Sequence, residues 1–239
     1  MRSSKNSWKE MKTLCVLQHT EAEFLGLMED QFESRSIRFH YVRPFTAGGG
    51  VPKAASGFDG LVVLGAGPYG IVSGHLLPSL GPELRLIGEF LARGLPVLGL
   101  GLGSCLLAVA AGGGAEDAPL RFVVGEGRRV ATDALEGHLQ ESFPIAAYMR
   151  DCPVLPKAAR VLAVDNAGAP AVFQVGTNSL GFLGHPGVKS AMIEDLIMEF
   201  EEAPADAAAG LELLRATQGA LATALGDIMI GIIKTTRLM

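Results

Sequence analysis

Two short, wholly apolar runs constrain this chain most. Leu61-Val62-Val63-Leu64 and Pro96-Val97-Leu98-Gly99-Leu100 each break into a glycine-rich turn. Runs this short, without polar alternation and bounded by turn signals, suit strands buried on both faces. Thr13 to Gln18 is a third such run, and Ile37 to Val42 a fourth strand ending at Arg43-Pro44. Helical patterns lie between them. Glu21 to Ser34 places Phe24, Leu25, Leu27, Met28 and Phe32 at helical spacing. Pro82 to Arg93 has Pro at its start and Gly94 past its end. Ser104 to Ala111 is closed by Gly112 to Gly114. Apolar strands alternating with helices predict a three-layer α/β/α fold of flavodoxin-like type, with a mostly parallel central sheet.

The second half changes character. Phe122 to Val124, Arg129 to Thr132, Ile145 to Met149, Arg160 to Val164, Ala171 to Val175 and Leu180 to Gly184 are short strand candidates between turn signals. They read as antiparallel additions to the sheet. Val188 to Glu202 is an amphipathic helix, Pro204 a break, and Asp206 to about Ile233 an Ala/Leu-rich helix. The expected organisation is a flexible leader over 1–12, one domain over 13–203 and a helical extension over 204–239. On that extension Leu211, Leu213, Leu214, Leu221, Leu225, Ile228, Met229, Ile232 and Ile233 form a long apolar face. Such a face needs a cover, either its own domain or a second subunit. A homo-oligomer or protein partner through this helix is therefore expected as one alternative.

Composition excludes several classes. With 20 basic against 25 acidic residues, the chain carries a formal charge of -5, which argues against binding nucleic acid through overall charge. Three cysteines, Cys15, Cys105 and Cys152, with no CxxC pair, fit a reducing cytoplasm and argue against a disulfide framework or a structural zinc site. The five histidines show no metal-ligand spacing. Neither a metal nor a cofactor is expected. No signal-peptide pattern follows the polar first residues, and the apolar stretch Leu95 to Ala111 is too short and interrupted to span a bilayer.

Glycine is abundant, 31 residues, of which 18 fall between Gly48 and Gly114. Gly65-Ala66-Gly67-Pro68-Tyr69-Gly70 matches GxGxxG. It follows the third strand rather than the first, however, and no helix opens at once behind it. Without a helix N-terminus a pyrophosphate loses its positive dipole end, so a plain tight turn is the better reading. Gly99-Leu100-Gly101-Leu102-Gly103-Ser104 lies between strand and helix. That is the setting of a nucleophile elbow, which lifts one side chain above the sheet. The elbow position here is Gly101, which has no side chain to lift.

Four segments together resemble a class I glutamine amidotransferase domain, and most of all the stand-alone members related to the amidotransferase half of GMP synthase. They are Leu17-Gln18-His19, Gly67-Pro68-Tyr69-Gly70, Gly94 to Gly99 leading into the elbow, and Leu183-Gly184-His185-Pro186. The resemblance covers about residues 13 to 201. It implies a cysteine thiolate that attacks the glutamine amide, a histidine that activates it and a glutamate that orients the histidine. The ammonia released passes to a synthetase partner. It also implies an oxyanion turn at Gly67 and Pro68, and a pocket bounded by Gly101, Leu102 and Gly187. Yet Gly101 stands at the nucleophile position and Gly187 at the carboxylate position; only His185 remains. Loss of such a nucleophile costs about a millionfold in rate.

Three functions follow as expectations. One is a degenerate amidotransferase-like protein serving as a binding, scaffold or regulatory subunit, with a small ligand in the vestigial pocket as one possibility. The second is different chemistry on the same fold. Cys105, one turn beyond Gly101 on the same helix face, or Ser104 would then act with His185; the helix N-terminus would lower the thiol pKa. The third is ordinary glutamine hydrolysis. His185 is either a vestige or a pocket residue, Cys105 either a relocated nucleophile or an inert core cysteine, and Ser104 either a nucleophile or a helix cap.

Overall fold

The computed structural model describes residues 11–239. Most of the leader expected over 1–12 thus lies outside the described residues. Lys12 itself is anchored, its ammonium 2.7 Å from Asp59 and its carbonyl accepting the Arg38 amide.

A nine-stranded sheet organises the molecule. Its elements are β1 (Thr13–Leu17), β2 (Arg38–Val42), β3 (Gly60–Val63), β4 (Val97–Leu100), β6 (Arg121–Arg129), β7 (Ser142–Met149), β9 (Arg160–Val164), β10 (Pro170–Val175) and β11 (Ser179–Phe182). The order is β2-β1-β3-β4-β11-β10-β9-β6-β7. The strands from β2 to β11 run parallel to their neighbours, and β10, β9, β6 and β7 continue antiparallel. The expected mostly parallel α/β sheet is present, and the antiparallel additions lie at one edge. Two of the later strands differ from expectation: β11 pairs in parallel with β4, and β6 ends at Arg129, so no strand runs over Arg129 to Thr132. A separate pair, β5 (Gly114–Glu116) with β8 (Cys152–Val154), has no counterpart in the sequence reading.

Each parallel strand divides its side chains between two cores, as a strand's period of two requires. Cys15, Leu17, Leu61, Val63 and Val97 face α2 (Leu80–Ala92) and α3 (Leu102–Ala110). Leu14, Val16, Val62, Leu98 and Leu100 face α1 (Met28–Glu33) and α5 (Ala207–Thr236). A third cluster gathers Tyr148, Phe122 and α4 (Ser190–Glu199).

Two expectations need correction. The helix expected over Glu21 to Ser34 begins only at Met28. Gly26 adopts φ +61°, and the Leu27 amide donates to the Gly187 carbonyl, so the chain is drawn into turns across the sheet edge first. The segment 204–239 is no separate extension. Leu221, Leu225, Ile228, Met229, Ile232 and Ile233 are buried in the same clusters as the sheet, and of the nine apolar residues named above only Leu213 is largely exposed, at 50%. By length and composition α5 could cross a membrane, yet its apolar face lies on the sheet.

Candidate functional site

The site lies at the carboxyl ends of β3, β4 and β11. β4 stops at Leu100, and α3 starts at Leu102. The single residue between them, Gly101, has φ 55° and ψ -123°, a conformation that disfavours any side chain. Such a tight strand-to-helix reversal needs close contact on both sides. A Cβ on Gly103 would run into the Val63 carbonyl, and one on Gly99 into the Gly103 carbonyl. At Gly101 the nearest atom to a built Cβ is the Gly65 Cα at 3.5 Å, an ordinary contact. The turn therefore has a positive-φ twist and space for a Cβ, but bears none.

The turn after β3 faces the elbow. The Gly67 amide donates to Oε2 of Glu23, and Glu23 Oε1 lies against Gly65. The Pro68 carbonyl accepts from Arg150 Nε at 3.0 Å. The donor that an oxyanion would need is thus already taken by an internal carboxylate. Glu23 is 6% exposed, and burial pushes its carboxyl up to about 7, against the opposing pull of the Gly67 amide and His19. Tyr148 lines the same space, and its buried hydroxyl has no partner among the described residues. With Met192, Ile193 and Val188 closing in from the α4 side, the space beside Gly101 is about 10 Å³, room for one water molecule.

His185 borders this space but is tied on both sides. Its Nδ1 accepts the Gly187 amide at 3.1 Å, which leaves the proton on Nε2, and Nε2 donates to the Phe24 carbonyl at 2.8 Å. Burial pulls its pKa down to about 4, so the ring is neutral and has no lone pair free to take a proton. Gly187 leaves no space for a carboxylate. A Cβ there would come within 2.6 Å of Met28 Cγ and 2.8 Å of its amide nitrogen.

Cys105 and Ser104 do not join His185. Cys105 is fully buried, and the titratable groups near it are Asp151, Cys152 and Arg121. Burial and Asp151 push its thiol up to about 12, which reverses the expected lowering at the helix start. The helix turns this residue inward against the sheet and β8, away from the elbow cavity. The Ser104 hydroxyl donates to the Gly101 carbonyl at 2.7 Å. Leu102 is buried in the core at the start of α3.

His19 has no expected role beyond the Leu17-Gln18-His19 segment, yet it is buried and bonded through both ring nitrogens. His19 Nδ1 donates to the Gly65 carbonyl at 2.8 Å, and Nε2 lies 2.9 Å from Glu83, which also accepts from Ser79. Burial alone would lower the His19 pKa; Glu83, together with the Gly65 carbonyl and Glu23, outweighs it, and the ring stays above its ordinary range. Glu23 was also missed, because a helix over Glu21 to Ser34 would have sent it elsewhere. Gly26, inside that apolar pattern, was the available sign of a break.

Among solved structures the chain is similar to a glutamine amidotransferase from Thermotoga maritima, at 22% identity and a TM-score of 0.77, covering 95% of this chain and 98% of that one. It is also similar to a glutamine amidotransferase from Methylobacillus flagellatus, at 20% identity and a TM-score of 0.79, covering 94% and 95%. No protein-family model matches the chain, and no curated protein sequence does. The class is thereby defined as an α/β domain with the class I glutamine amidotransferase-like fold. At these identities the likeness concerns the fold.

Proposed function

We propose that this chain is a catalytically degenerate glutamine amidotransferase-like protein that works as a soluble, cytoplasmic scaffold or regulatory subunit. The observation that carries the reading is the elbow itself: Gly101 holds the twist of a nucleophile position beside a cavity of about 10 Å³. A site filled by its own Glu23, Tyr148 and α4 residues supports contact with a protein over a small ligand held at the elbow. His185 is then a structural vestige that ties Phe24 to Gly187. The test is glutamine hydrolysis by the purified chain with ammonia as readout. No turnover above buffer is expected; clear turnover that survives repurification would overturn the proposal.

A further inference from the structure

A second location at the same sheet edge is open where the elbow is filled. In the order β2-β1-β3, the chain leaves β1 toward one side for β2 and returns on the other side as β3. At such a switch point the loops diverge and leave a crevice beyond the carboxyl ends of the strands, where open α/β sheets bind ligands. Two adjoining crevices lie there, of about 230 and 280 Å³, with Phe45 in the wall of both. Together they reach the size of small-ligand pockets, roughly 300–1,000 Å³.

Their walls divide by chemistry. The first is mainly apolar and aromatic, with Phe45, Val51, Tyr69, Leu77 and three prolines, while His19 and Ser79 add polar atoms to its wall. Phe45 is 42% exposed, an aromatic ring left to solvent at the mouth. The second is lined by Arg43 and Glu21, with Gln18 and Thr46. Arg43 is held in place: its Nε donates to Gln18 Oε1 at 2.8 Å, and its guanidinium stacks 5.4 Å from the centre of the Tyr41 ring. Its two terminal nitrogens bond no polar atom among the described residues. Gln18 in turn donates to the Thr20 and Glu21 carbonyls at 2.9 and 3.3 Å. One amide therefore fixes the cation and the backbone that bears the Glu21 carboxylate, which likewise bonds no described residue.

We propose that this crevice binds a zwitterionic α-amino acid with a large apolar or aromatic side chain. Arg43 takes the carboxylate, Glu21 the ammonium, and the wall formed by Phe45, Tyr69 and Leu77 takes the side chain. A simple anion would meet Glu21 and a simple cation would meet Arg43, so the paired charges favour a ligand that carries both. The inference is independent of the inert elbow and can fail while that reading stands.

The test is isothermal titration of the full chain with L-phenylalanine, 3-phenylpropionate, phenethylamine and L-serine. Saturable binding of L-phenylalanine is expected, with the other three at least tenfold weaker. Arg43→Gln and Glu21→Gln should each weaken L-phenylalanine at least tenfold without changing the melting temperature, and Phe45→Ala should weaken it as well. Absence of saturable binding by L-phenylalanine overturns the proposal. So does equal binding of 3-phenylpropionate, which needs Arg43 alone, or binding that persists in both charge variants.

Discussion

Gly101 and Gly187, the glycines expected at the nucleophile and carboxylate positions, sit in different physical surroundings. Gly101 has free space around its missing Cβ and a backbone strained for any other residue, whereas Gly187 has an undemanding backbone and no space. Gly101→Cys is therefore expected to fold, at a cost of about 1–3 kcal/mol for its positive φ. It should still release no ammonia from glutamine, because both His185 nitrogens are occupied. A thermal melt and an ammonia assay check the two halves; turnover in this variant would show that His185 can reorient. Gly187→Glu is expected to lose about 1–3 kcal/mol or more through overpacking against Met28, read as a lower urea midpoint at unchanged slope. That positions 101 and 187 hold glycine is plain in the sequence itself. That Gly187 has no space for a carboxylate was not legible, because the Met28 contact joins positions far apart in sequence.

At the scale of elements, the segment from Gln18 to Leu27 explains most of the distance between sequence and structure. Its apolar spacing suits a helix, yet long-range hydrogen bonds override local propensity: Glu23 to Gly67, the Phe24 carbonyl to His185 and the Leu27 amide to Gly187. The buried strands and α2 to α5 were legible because burial on two faces or one leaves a pattern in local sequence. The strap was not, because its partners lie some 40 to 160 residues away. Gly26→Ala should loosen it, since its φ is +61° and a Cβ would strike the Gly187 carbonyl. Faster amide exchange at Leu27 and Gly67, with α5 protection unchanged, is the expected result. The last helix gives a paired test. Met229 is fully buried against the sheet and Leu213 half exposed. Met229→Ala should cost about 2–5 kcal/mol and Leu213→Ala within about 0.5 kcal/mol, compared by chemical denaturation.

For the whole molecule, the buried titrating groups set how stability depends on pH. Glu23 moves from an ordinary 4.5 to about 7 on folding, so the folded state holds its proton more tightly. Its contribution, about 3 kcal/mol, is fully present below 4.5 and is lost as pH rises through 7. His185 moves the other way, from 6.5 to about 4. Its contribution, also about 3 kcal/mol, is present above 6.5 and is lost as pH falls through 4. Between pH 4.5 and 6.5 the two slopes oppose each other, and these two groups together leave stability nearly level. His19, raised by Glu83, adds a further loss as pH climbs above 6.5. Glu23→Gln keeps a carbonyl oxygen for the Gly67 amide but removes one slope. That variant should grow more stable from pH 4.5 to 6.5, while the parent chain changes little. Urea midpoints at half-unit intervals of pH measure both curves. Parallel curves would mean that the Glu23 carboxyl keeps an ordinary affinity for its proton despite its place between Gly65 and Gly67.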